Sequence, residues 1–217
     1  MNTYITRISL IILIWLTISS QVLANDIRNL RLFVTYNNNV SLTKTLHLIR
    51  EASDLTEKEI CIRFEVVRAI SLGTDSIYGN ISLRPDLALA QLKSLGWYEG
   101  NKGNGFDIAL AFANDPPMTK NLGWFLSKPF GVIEDRWRRY IIFYHPTVRV
   151  IRHEIYHGFL FNEGHTTKLM AGGIGTFMPF NQWLSDEDKI EVLKNKWRDF
   201  RYVPTIPKEF QQDFPRN

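Results

Sequence analysis

The run Tyr140-Ile141-Ile142-Phe143-Tyr144 shows no polar alternation. A strand built from it is apolar on both faces, so it belongs inside a sheet that is covered on both sides. His145-Pro146 marks a strand-to-helix junction. The spacing of Val148, Ile151, Ile155 and Phe159 then predicts a helix from Pro146-Thr147 to about Phe161, with one apolar stripe. A doubly buried strand followed by an amphipathic helix demands a layered fold in which helices cover a sheet.

The remaining segments supply that sheet. Leu30–Tyr36 reads as a first strand, ended by Asn37-Asn38-Asn39. Ser41 caps a helix through about Ala52, with Leu42, Leu46, Leu48 and Ile49 on its apolar face. Cys61–Ile70 is rich in β-branched residues and reads as a second strand. Leu87–Leu95 is a short helical turn, and Phe106–Phe112 a third strand. Gly123–Ser127 is a fourth, which Pro129 limits to an edge. Ser185 followed three residues later by Asp188 resembles a capping box and opens a last helix, to which Ile190, Val192, Leu193 and Trp197 bring apolar contacts. From Val203 the chain reads as irregular. The expected fold class is α+β (α/β-like): a mixed twisted sheet of about five strands with three main helices.

A length of 217 residues suits a single domain. Arg7, the apolar run from Ile8 to about Ile18, and the small residue Ala24 read as a secretory signal peptide over residues 1–24. The apolar stretch falls short of the roughly 20 residues of a spanning helix. The mature chain is then expected to be one domain over residues 25–217, secreted or periplasmic, with no later membrane span. Cys61 is the single cysteine. It excludes an internal disulfide framework and metal sites made of several thiolates, and reads as a buried free thiol. The formal charge of +4 draws on Arg136, Arg138, Arg139, Arg149 and Arg152, which crowd one segment. A solvated face is the plainer reading and an anionic partner the other. No nucleic-acid motif accompanies the charge. A monomer is the default.

The chemistry sits in the predicted helix after the buried strand. His153-Glu154-Ile155-Tyr156-His157 is an H-E-x-x-H motif. Residues four apart share one face of a helix, so two imidazoles there are able to bind one zinc ion. Glu154 lies about 100° round the helix, near enough to act on a water without becoming a ligand. Catalytic zinc takes three protein ligands and keeps one position open. His165, preceded by Gly164, and Glu163 are both candidates for the third. His47 reads as an ordinary helix residue.

With these residues the chain resembles the metzincin clan of zinc peptidases. The resemblance rests on His153-Glu154-x-x-His157, a nearby third ligand, a methionine turn at Lys168-Leu169-Met170-Ala171-Gly172, and a closing helix from Leu184-Ser185-Asp186-Glu187-Asp188. One departure stands out. The clan's long motif H-E-x-x-H-x-x-G-x-x-H puts its glycine on Leu160 and its third ligand on Glu163. Reading His165 as that ligand needs two extra residues in the turn; Gly164-His165 restores the small residue before histidine and favours it. The helix is then half a turn longer, ended by Asn162. Met170 fits the methionine position better than Met178.

The resemblance implies a hydrolase, a zinc-dependent metalloendopeptidase with one catalytic zinc and Glu154 as general base. It implies a cleft whose upper part is residues 25–157 and whose lower part is residues 158–217. It also implies that the edge strand at Gly123, Trp124 and Phe125 holds an extended peptide substrate. Trp124, Phe125 and Phe177 are candidate pocket walls. The alternative is a zinc-binding envelope or effector module that no longer cleaves; an intact Glu154 argues against it.

Overall fold

The structure, a computed structural model, describes residues 26–37, 40–72, 85–103, 105–113, 131–134, 136–161, 168–170 and 182–205. Its elements in chain order are β1 (Arg28–Asn37), α1 (Leu42–Ile60), β2 (Ile62–Leu72), α2 (Pro85–Asn101), β3 (Ile108–Phe112), β4 (Gly131–Ile133), β5 (Tyr140–Phe143), α3 (Val148–His157), a 3-10 turn (Lys168–Met170) and α4 (Asp186–Lys194). The five strands form one mixed sheet in the order β2-β1-β3-β5-β4. β2, β1, β3 and β5 are parallel, in a register that aligns Val34 with Leu110 and Leu110 with Ile141. β4 runs antiparallel to β5, with Val132 opposite Ile142, and forms the edge.

Alternation along each strand sorts side chains onto two faces. Leu30, Leu32, Val34, Leu110, Ile141 and Phe143 point to a core shared with Ile49 and Ala52 of α1 and with Ile151, Ile155 and Tyr156 of α3. Phe33, Ala109, Ala111 and Ile142 point to the other face, against Ala88 and Leu92 of α2. The fold is therefore α+β with both faces of the sheet covered, and β5 is buried on both sides as its composition requires. Each large apolar side chain buried this way contributes about 1.5–3 kcal/mol.

Several boundaries differ from the sequence expectation. α1 continues to Ile60 because Ser53 and Thr56 carry its buried face onward in place of apolar residues. Ser53 Oγ accepts from the Phe64 N–H at 2.8 Å, which ties the helix to β2. Cys61 is not the first residue of a strand. It is the left-handed C-cap of α1, with φ 56° and its N–H bonded to the Glu57 carbonyl, and its free thiol is half-buried. α2 spans 17 residues, so the described residues hold four α-helices, one more than expected. α3 stops at His157, not near Phe161. Gly158, Phe159 and Leu160 turn back on the carbonyls of Ile155 and Tyr156 at 2.8–3.0 Å. A Cβ on Gly158 would stand 2.9 Å from the Ile155 oxygen and 3.2 Å from the Phe200 ring, so this exit depends on glycine. Asn162 and the segment Gly123–Ser127 lie outside the described residues.

The crowded arginines form no solvated face. Arg138, Arg139 and Arg152 are buried; Arg149 is half-buried, and only Arg136 is exposed. Arg139 donates to the Phe106 carbonyl at 2.7 Å. Arg138 donates to the carbonyls of His157 and Leu160, and Arg198 to those of Gly158 and Trp137. Arg138 and Arg198 thereby satisfy carbonyls at the end of α3 that a helix leaves unpaired, where the helix dipole also favours positive charge, while Arg139 holds a carbonyl just before β3.

Candidate metal centre

α3 is set by its ends and by its two faces. Thr147 Oγ1 accepts the Val150 N–H at 3.2 Å and caps the first turn. The apolar residues Ile151 and Ile155 pin one side to the sheet. Arg152 pins another: its Nη2 meets Glu59 Oε2 at 2.6 Å, with side chains only 1% and 5% exposed. The same carboxylate accepts from Tyr156 Oη at 3.1 Å and from the Leu184 N–H at 2.7 Å. The Arg152 Nη1 reaches the Gln182 carbonyl at 2.5 Å. A buried ion pair with every partner in place thus fixes the helix's rotation against α1 and against the segment before α4.

That rotation brings His153 and His157 together. Their Nε2 atoms are 3.2 Å apart, with ring centroids 4.8 Å apart and ring planes at 84°. His153 Nδ1 lies 3.0 Å from the Leu169 carbonyl oxygen. A carbonyl only accepts, so Nδ1 carries the hydrogen and Nε2 turns its lone pair toward His157. Two nitrogens held about 2.0–2.1 Å from one tetrahedral ion stand about 3.3–3.4 Å apart. The pair fits a zinc ion in spacing, ligand chemistry and tautomer.

The Leu169 carbonyl comes from the 3-10 turn, where Lys168 adopts φ 62°. The Leu169 N–H is bonded to the Trp183 carbonyl at 3.0 Å, and Arg149 Nη2 donates to the carbonyls of Lys168 and Leu169 at 3.1 and 3.4 Å. Met170 follows, buried in the core that holds Ile155 and Tyr156.

Glu154 leaves the helix on the side of the sheet edge. It is 7% exposed, and among the described residues its carboxyl has no hydrogen-bond or ion-pair partner. Burial alone pushes it up to about 8. Gly131 of β4 packs directly on it: a Cβ there would lie 2.6 Å from Glu154 Cγ.

His153, Glu154, His157 and the Met170 turn are therefore neighbours. Glu163, His165, Gly123, Trp124, Phe125, Phe177 and Met178 lie outside the described residues, among which no group of three or more His, Cys, Asp or Glu assembles. His47 is exposed and pairs with Glu51 on its own helix. Nothing in the residue pattern points to the Leu169 carbonyl, since a backbone atom leaves no trace in residue type. Gly131 is hidden too: the residue pattern predicts no strand at Gly131–Ile133, and a glycine there marks a close approach only once the strand is known.

No protein-family model matches the chain, and no curated protein does. Among solved structures, an archaemetzincin from Methanopyrus kandleri is similar over 79% of this chain and 97% of that one, at 14% identity and a TM-score of 0.52. A chain from a chaperone–substrate complex is similar over 83% of this chain, at 14% identity and a TM-score of 0.50; this chain spans 40% of its length. These likenesses show the fold, a zincin-like mixed sheet with helices on both faces.

Proposed function

We propose that the protein is a zinc metallopeptidase that cleaves peptide bonds within protein or peptide substrates. The observation that carries this is the convergence of two Nε2 atoms at 3.2 Å, with Nδ1 of His153 hydrogen-bonded to a carbonyl and the Glu154 carboxyl buried on the same helix. His153 and His157 would hold the ion, completed by His165 in preference to Glu163. Bound zinc supplies a Lewis acid that makes water nucleophilic near neutral pH and polarises a carbonyl. Glu154 accepts a proton from the attacking water and returns it to the leaving amine nitrogen. β4, at the edge of the sheet among the described residues and packed against Glu154, would offer main-chain groups to an extended substrate. The Leu169 carbonyl keeps His153 in the tautomer that exposes Nε2. The pattern of residues 1–24 supports export, so we place the activity outside the cytoplasm.

The test is hydrolysis of an unfolded protein by the zinc-loaded chain, with chelator and with Glu154→Gln as controls. Cleavage that both controls abolish is expected. Cleavage that persists through both rejects the assignment.

A further inference from the structure

α2 departs from the pattern of a helix that covers a sheet, which turns a polar, charged side to solvent. Its inner side packs as that pattern requires: Ala88 and Leu92 share a core with Phe33 and Ile142. A Cβ on Gly96 would stand 2.9 Å from the Tyr140 ring and 3.0 Å from the Phe106 ring. Glu99 is buried too, and its carboxylate meets Arg68 Nε at 2.8 Å and Lys102 Nζ at 3.7 Å. These contacts fix the rotation of the helix. Leu87, Ala90, Ser94, Trp97, Tyr98 and Asn101 then fall on one outer arc about 100° wide, and all six are exposed. None of the six is charged. Trp97 is 71% exposed and Tyr98 52%. Lys102 Nζ lies 4.0 Å from the centroid of the Tyr98 ring. Lys93, one turn before Trp97, lies 3.2 Å from Glu134 Oε1. Asp86 sits at the other end, in the first turn. Arg68, Lys93 and Lys102 reach solvent, whereas the carboxylates they meet are only 4% and 11% exposed, so these pairs turn positive charge outward.

We propose that the C-terminal half of α2 seats the protein on the surface of an anionic phospholipid bilayer. Trp and Tyr carry an apolar ring with a polar edge, and such rings settle at the boundary between headgroups and acyl chains. An uncharged aromatic face with cations at its border is complementary to that boundary, where apolar chains lie beneath phosphates. Trp97 and Tyr98 enter it, and Arg68, Lys93 and Lys102 meet the phosphates around them. A second copy of this chain suits the face less well, because a two-fold axis through Trp97 sets the cationic border against its own image. α2 and α3 cover opposite faces of the sheet, so a chain seated this way keeps the histidine pair turned away from the lipid. The seat requires no metal and stands apart from the zinc reading.

The test is co-sedimentation of the full chain with vesicles of equal parts phosphatidylglycerol and phosphatidylcholine, and with vesicles of phosphatidylcholine alone. Residues 1–24 are common to all chains compared, so differences between variants report on α2. Wild type is expected to bind the anionic vesicles at least about fivefold more tightly, and to lose that preference in high salt. Trp97→Ser, at a side chain that faces solvent, should weaken binding about tenfold with an unchanged melting temperature. Lys102→Gln should weaken binding to the anionic vesicles about fivefold and leave binding to the neutral ones as it was. Equal binding to both vesicles, or variants that bind as wild type does, overturns the seat. So does a concentration-dependent dimer that Trp97→Ser abolishes, which would assign this face to a second copy.

Discussion

Gly131 on the edge strand and Glu154 on the central helix are packed so closely that a single added carbon at Gly131 would overlap the glutamate, at 2.6 Å from Cγ and 2.9 Å from Oε1. If Glu154 moves protons, then Gly131→Ala displaces the base by roughly an ångström, and misplacement of that size costs on the order of 100-fold in rate. The expected result is a fall in kcat of that order with zinc stoichiometry unchanged. A variant with full kcat would show that the contact does not position the base.

Burial of the Glu154 carboxyl also makes a prediction for the metal-free protein. Its ordinary value is 4.5 and its folded value about 8. The folded state therefore binds the proton more tightly than the unfolded chain does. The stability this contributes is complete below pH 4.5 and is lost progressively as pH rises toward 8. Glu154→Gln removes this ionisation. With chelator present, the variant should gain in melting temperature relative to wild type between pH 5 and pH 8, most of all at the alkaline end. Parallel curves across that window would contradict the assigned burial cost.

The Arg152–Glu59 pair is predicted to matter far more when broken than when replaced. Arg152→Met leaves a nearly buried carboxylate without its cation and is expected to cost about 3–5 kcal/mol in urea unfolding. Adding Glu59→Gln should restore part of that loss, because the unpaired charge is gone, the amide oxygen still accepts from the Leu184 N–H, and the amide NH2 can donate to the Tyr156 hydroxyl. Strict additivity of the two substitutions would mean that they do not interact.

Met170 is predicted to act by filling space. Met170→Leu should cost less than about 1.5 kcal/mol and Met170→Ala about 2–5 kcal/mol. Both should bind one zinc per chain by elemental analysis, since the thioether is not among the proposed ligands. Loss of metal from the leucine variant would point to a direct role for the sulfur.

Much of this architecture is legible from periodicity. β5 announces its double burial through composition, and α3 announces its apolar face through the spacing of Val148, Ile151 and Ile155. The H-E-x-x-H spacing carries the histidine pair, because helix geometry alone puts residues four apart on one face. What stayed hidden follows physical causes as well. Thr56 and Arg152 look like surface residues in the sequence, yet they are buried because each meets a partner nearly a hundred positions away. The arginine cluster misleads for the same reason: its groups bind backbone carbonyls, and carbonyls have no letter in the sequence. Cys61 looked like a strand residue because its neighbours are β-branched, while a left-handed cap needs only one residue and disrupts no pattern.

The exit from α3 is moored on several sides. Arg138 and Arg198 grip the carbonyls from His157 to Leu160, Asn195 Nδ2 holds the Phe159 carbonyl at 2.8 Å, and Glu191 takes the Phe161 N–H at 2.5 Å. The helix end that carries His157 is thereby lashed to α4, to the residues just after it and to the turn before β5, so it cannot fray without tearing contacts in three separate parts of the chain.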